Sequence, residues 1–313
     1  MQTMAAVLRE PEQISLQQLV LSEPGEDDVV VEIEWSGIST GTERLLWSGR
    51  MPQFPGMGYP LVPGYEAVGR VTEASVQSGK HVGDYVFVPG ASCFGEVRGL
   101  FGASASRLVV PGRRVVPIKE ELGARGILLA LAATAYHAIA APGAERPDCI
   151  VGHGVLGRLL ARITIALGAP PPTVWEKNPI RSEGASGYPV IDPAQDTKHS
   201  YRAIYDVSGD AGLLDTLVSR IARGGEIVLA GFYSDRLSFA FPPAFMREAR
   251  LRAAAEWQPA DLTAVNELIA TGALSLDGLI THSELADHAP DAYRTAFDDP
   301  ACLKMILDWR AFS

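Results

Sequence analysis

Residues 29–35 read VVVEIEW, apolar and acidic side chains in turn, as on a strand with one face in a core and the other in water. Runs of this kind, parted by turn residues, dominate the first part of the chain. The middle changes to short apolar runs alternating with helical patterns, which predicts βαβ units and a parallel sheet. Asp148, Cys149, Ile150 and Val151 make one such apolar strand, and further strands are expected at 173–175, 203–208 and 226–231. The stretch LLARITIAL has helical spacing, with Arg158 and Arg162 on one face and Gly168 placed as a C-terminal cap. The most apolar stretch, 127–141, is broken by Thr134, Tyr136 and His137 and is too short for a bilayer, so it predicts a buried helix. No internal repeat or low-complexity segment appears.

Between that strand and that helix lie Gly152, His153, Gly154, Val155, Leu156 and Gly157, a GxGxxG. Strand before and helix after give the motif its meaning, because the glycines let backbone approach a pyrophosphate at the helix N-terminus. The next strand ends in Glu176, at the position where a carboxylate accepts hydrogen bonds from an adenosine ribose and repels a 2'-phosphate. NAD is therefore favoured over NADP, although Lys177 beside it would tolerate phosphate. Ser208, Gly209, Gly231 and Phe232 close the following two strands, where the cofactor crevice of such a sheet lies, and are expected on the nicotinamide side.

The 313 residues suffice for two domains. A net charge of -10 argues against nucleic acid and against an anionic membrane surface as electrostatic partners. Cys93, Cys149 and Cys302 have no CxxC spacing, so neither a disulfide frame nor a metal knuckle is suggested. No basic-then-apolar leader opens the sequence, which reads as cytoplasmic.

Taken together, SGISTGTERLLWSGRMPQFPGMGYPLVPGYEAVGRV, FVPGASCFGEVRGLFGASASRLVVP and VGHGVLGRLLARI resemble the medium-chain dehydrogenase/reductase superfamily over nearly the whole chain. Within it they resemble the branch that acts on the hydroxyethyl group of bacteriochlorophyllides. The resemblance implies an α/β protein: a GroES-like β-barrel catalytic domain split over 1–122 and 257–313, around an inserted Rossmann domain, a doubly wound parallel sheet, at 123–256. DDPACLKMILDW then looks like the strand that returns to the catalytic domain.

Zinc members of the superfamily bind their catalytic metal through Cys and His. At the matching positions this chain has Thr40, with Ser39 beside it, Tyr65, and an apolar residue near Ala130. Only Glu66 of this set is a useful ligand, and Cys93 stands alone where a four-Cys lobe would lie, so no metal is expected. Thr42 matches the hydroxyl that relays the alcohol proton in zinc relatives and is the expected partner of the substrate oxygen. The histidine that continues that relay has no counterpart, Leu45 standing near its place. Tyr65 could pass a proton, but a phenol with an ordinary pKa of about 10 is a weak base. Glu66 is the better base, or else the structural support that it is elsewhere in the superfamily. His137, following Thr134 near the expected nicotinamide site, is either a general base or a packed residue of the TAYHA string. His153 is expected to flank the pyrophosphate, and His81, His199, His282 and His288 to lie at the surface.

The resemblance implies NAD-dependent oxidation of a 1-hydroxyethyl group on a magnesium bacteriochlorin to an acetyl group. A flat tetrapyrrole needs an open apolar cleft. The Pro/Gly loop 50–64, carrying Met51, Phe54, Met57 and Tyr59, is expected to wall it, with Phe94, Phe101 and Thr40, while Arg44 or Arg50 could pair with a propionate. So apolar a substrate suggests delivery by a pathway enzyme or from a membrane surface, without insertion of the chain. A homodimer is one assembly open to it. Two other readings share these features: a zinc-free quinone or enone reductase, which would prefer NADPH, and a non-catalytic relative that binds nucleotide or pigment.

Overall fold

The computed structural model describes residues 1–312, and the chain divides into two compact units. One holds Met1–Ala130 and the segment from Asp277 onward, the other Leu131–Leu276. The resemblance predicts an inserted domain beginning at 123 and closing at 256, whereas the inserted unit starts after Ala130 and runs on to Leu276. Packing moves the second boundary. The helix Pro259–Ala270 buries Leu262 and Val265, and its Asp261 is bonded to His137 of the helix Leu129–Ala140 at 2.8 Å.

In the first unit the strand Asp28–Ile38 is the hub of its sheet. It pairs antiparallel with Ala67–Ala74, Arg107–Pro111 and Met305–Asp308. The simple alternation expected of it holds only in part. Val29, Val30 and Val31 are all buried, and since neighbouring side chains point to opposite faces, both faces are covered there. The outer acids are matched locally, Glu32 by Arg107 at 2.5 Å. The register sets Met305 opposite Ile38 and Ser36 opposite Ala67. Residues just before the last strand and just before Ala67 therefore arrive on the two flanks of one strand end.

In the second unit the described strands form one parallel sheet in the order Val190–Ile191, Thr173–Trp175, Cys149–Val151, Tyr201–Asp206, Ile221–Leu229 and Arg250–Ala253. This is the doubly wound arrangement that the βαβ pattern implies. All the strands run the same way, so their C-terminal ends line one edge, where ligands bind in such sheets. The apolar stretch 127–141 forms the predicted buried helix, Leu129–Ala140, entered through 3-10 turns that break at Gly123. By length and composition 120–140 would suit a membrane, yet Ile127, Leu128, Leu129, Ala132, Ala133 and Ala135 are buried in the protein.

Candidate functional site

The strand Cys149–Val151 turns through Gly152 into the helix Val155–Ala166, which Gly154 caps. Gly152 has φ +102°, which a side chain would strain, and a Cβ on Gly157 would lie 1.9 Å from the Gly152 carbonyl oxygen. Helix and loop meet this closely only because both positions are glycine, leaving the first-turn N–H groups open to an anion. Glu176 is pinned to the same loop, Oε2 accepting from the His153 N–H at 3.1 Å and Oε1 from the Asn178 N–H at 2.8 Å. Each oxygen keeps a lone pair for a ribose hydroxyl. Ser208, Gly209 and Phe232 are exposed just beyond the neighbouring strand ends, with Gly231 half-buried among them, and Lys177 is exposed beside Glu176.

His153 departs from expectation. Its ring is buried, with Nδ1 2.6 Å from the Arg181 carbonyl and Nε2 2.9 Å from the Tyr188 hydroxyl. The carbonyl can only accept, so Nδ1 carries the proton and the Tyr188 O–H donates to Nε2. Burial pushes its pKa down to about 4, leaving a neutral ring that braces the loop from below instead of flanking phosphate. Arg158 is buried as well, its guanidinium donating to the carbonyls of His153, Arg181 and Glu183. It holds the backbone of the loop and of the turn that follows the next strand.

His137 is likewise committed. Its Nδ1 meets Asp261 Oδ2, the oxygen that also accepts the Gln258 N–H and caps the helix Pro259–Ala270. Of its two readings, the packed one matches these contacts. Thr134 sits half-buried one turn earlier on the helix Leu129–Ala140.

The first unit gathers a different set at the end of the strand Asp28–Ile38. The turn Ser39, Thr40, Gly41 leads into the helix Thr42–Trp47, and Glu43 on its first turn is 1% exposed. Glu43 Oε1 accepts the Ser39 N–H and Oε2 the Tyr293 O–H, both at 2.9 Å. Glu66, fully buried, receives Lys304 Nζ on Oε2 at 2.6 Å, while its Oε1 has no hydrogen-bond partner among the described residues. Gly37 makes room for this carboxylate, since a Cβ there would lie 2.4 Å from Oε2. The Tyr65 hydroxyl donates to Ser39 Oγ at 2.6 Å and also meets the Thr42 side chain, and its ring stands edge-on to Phe101 at 5.6 Å between centroids.

Burial dominates the electrostatics here. It pushes Glu43 up to about 7, with the Glu66 charge adding to the rise and the Ser39 amide, Tyr293 and Lys304 opposing it. It also raises Glu66 above the ordinary carboxyl range, against the pull of Lys304. Tyr65 is raised far beyond a normal phenol by burial and by the carboxylates of Glu66 and Glu43. A phenol so raised holds its proton, and its hydroxyl donates to Ser39 Oγ. Glu66 is no free base either, being one half of an ion pair. The donor set does not fit zinc: it offers hydroxyls and one carboxylate already neutralised by an ammonium.

The expected substrate wall is thinner than the sequence suggests. Met51 and Phe94 are core residues, 6% and 3% exposed. Met57 and Tyr59 pack on that core, and the Tyr59 hydroxyl donates to the Leu46 carbonyl. Phe54 and Phe101 do present surface, and Thr40 is half-buried at the turn. Sequence reasoning missed Glu43, Tyr293 and Lys304. One signal was available, a lysine inside the apolar run CLKMIL, where a solvated side chain has no place.

The GroES-like domain of alcohol dehydrogenases matches residues 25–120. The chain is 60% identical over 316 residues to the 2-desacetyl-2-hydroxyethyl bacteriochlorophyllide A dehydrogenase of Cereibacter sphaeroides, covering 99% of each chain. To the protein of the same name from Rhodobacter capsulatus it is 58% identical over 311 residues, again covering 99% of each. Among solved structures it superposes on L-idonate 5-dehydrogenase from Escherichia coli with a TM-score of 0.85 at 18% identity, covering 98% of both, a likeness of fold. With such identity over nearly its whole length, the chain belongs to the 2-desacetyl-2-hydroxyethyl bacteriochlorophyllide A dehydrogenases, within the alcohol dehydrogenases that carry a GroES-like domain.

Proposed function

We propose that this chain is an oxidoreductase of bacteriochlorophyll synthesis that oxidises the 1-hydroxyethyl group of a bacteriochlorophyllide to an acetyl group. The observation that carries this reading is the 60% identity, end to end, with the dehydrogenase of that name. Hydride leaves the carbinol carbon for a nicotinamide dinucleotide, and the hydroxyl proton goes to solvent. The residues at the glycine loop suit such a cofactor, with Gly152, Gly154 and Gly157 admitting the pyrophosphate and Glu176 facing a ribose, which favours NAD over NADP. When bound, the cofactor supplies the hydride acceptor.

Thr42 and Tyr65 are the hydroxyls offered to the substrate oxygen, with Tyr65 acting only as a donor. The reaction runs without zinc in this reading, because Lys304 already neutralises Glu66 and hydroxyls fill the other ligand positions. The carbinol carbon is attached to a conjugated macrocycle, which spreads positive charge as hydride departs and so lessens the need for a Lewis acid. Purified protein given NAD and the hydroxyethyl pigment should show the pigment's spectral shift together with NADH formation, with less than stoichiometric transition metal in the same sample. No NAD-linked conversion would sink the activity, and turnover that a chelator abolishes and zinc restores would sink its metal-free form.

A further inference from the structure

Two carboxylates and one ammonium lie buried together in the first unit: Glu43, Glu66 and Lys304. Fully ionised, the three carry one net negative charge, and burial makes that charge costly. One added proton makes the group neutral. The hydrogen bonds do not neutralise the excess, since Glu43 accepts from the Ser39 N–H and the Tyr293 O–H, both uncharged donors. Glu66, 0% exposed, has Lys304 on one oxygen and, among the described residues, no hydrogen-bond partner on the other. The charged partner thus belongs to Glu66, and Glu43 is the carboxyl left without one.

We infer that Glu43 is a positioning residue that holds one exchangeable proton behind the Ser39–Tyr65–Thr42 hydroxyls, and that its ionised form favours the oxidation proposed above. This rests on that reading. The groups facing Glu43 come from every side: the Ser39 amide from the turn, Tyr293, itself near Ser104 Oγ at 3.3 Å, and the charges of Glu66, Lys304 and Tyr65's neighbourhood. Ionised, Glu43 places a negative charge behind the hydroxyls offered to the substrate oxygen, and it stabilises the positive charge that grows on the carbinol carbon as hydride leaves. Protonated, it withdraws that help. Glu43 accepts no atom from the substrate; the proton released by the alcohol goes to solvent. Burial sets its titration near neutrality, within the working range of an enzyme.

The test compares the wild-type enzyme with Glu43→Gln, whose amide can still accept from Ser39 and donate to Tyr293. In the wild type, kcat/KM for oxidation should rise on the order of tenfold or more between about pH 6 and 8, the effect of one charge within about 12 Å of the reacting carbon at an effective dielectric of about 20. In the variant that rise should vanish, with the rate near the wild-type low-pH level and NAD affinity within about twofold. A pH limb retained in Glu43→Gln would overturn the inference. Infrared titration of the unliganded proteins gives an answer that needs no turnover. The wild type should show a carboxylic-acid band that disappears through neutrality and is missing from Glu43→Gln, and a band that persists in the variant would also overturn it. Failure of wild type to convert the pigment would instead defeat the proposed activity, leaving the infrared result to decide the proton's place.

Discussion

Replacing Lys304 with Met removes the ammonium and keeps most of the side-chain volume. What remains is a fully buried Glu66 with one oxygen already lacking a partner and the other newly orphaned. Breaking a buried ion pair from one side typically costs about 3–5 kcal/mol, mostly from the charge left behind, so Lys304→Met should lose stability in that range near pH 8. The penalty depends on pH with a definite sign. The folded Glu66 carboxyl is already raised by burial, and losing Lys304 raises it further. A carboxyl raised in the folded state binds its proton more tightly there than in the unfolded chain. Relative stability is thus greatest below the ordinary carboxyl range and is lost as pH rises through the folded value. The deficit should therefore be small near pH 5 and full near pH 8. The double variant Lys304→Met, Glu66→Gln carries no stranded charge and should recover more than half of the loss. Urea denaturation of wild type, Lys304→Met, Glu66→Gln and the double variant at both pH values closes the cycle. A Lys304→Met deficit below about 1 kcal/mol near pH 8, or one larger near pH 5, would refute the idea that this ion pair stands in an effectively dry interior.

Two further outcomes concern the cofactor side. Gly157→Ala puts a methyl 1.9 Å from the Gly152 carbonyl oxygen, so the loop must open, and NAD affinity measured by fluorescence titration should fall at least about tenfold. Glu176→Ala removes the carboxylate proposed to face the ribose and frees the His153 and Asn178 N–H groups. The ratio of NAD to NADP affinity should drop about tenfold or more, as for hydrogen bonds to a charged group, and an unchanged ratio would place cofactor selection elsewhere.

The strand, glycine loop and helix of the second unit were legible in the chain because their parts are neighbours. Strand, glycine loop, helix and Glu176 lie within one βαβ unit, and local rules of periodicity and backbone freedom suffice to read them. Even there His153 was misjudged. Whether a loop side chain points to a ligand or inward depends on Tyr188 and the Arg181 carbonyl, dozens of residues on. The substrate wall fared worse, since Met51 and Phe94 look alike on paper whether they line a cleft or fill a core.

Read alone, the chain carried the element types, the glycine-loop pattern, the lack of Cys or His at positions where zinc relatives bind metal, and the family resemblance, all of which are local or compositional. Only tertiary structure decided what the former metal positions do. Lys304 reaches Glu66 across 238 positions of chain, because the last strand pairs with Asp28–Ile38, and Tyr293, on the helix Ala289–Asp298, reaches Glu43 across 250. A charge placed by sheet register leaves no spacing to read, and burial, which pushes Glu43 and Glu66 above the ordinary carboxyl range, is a property of the packed whole.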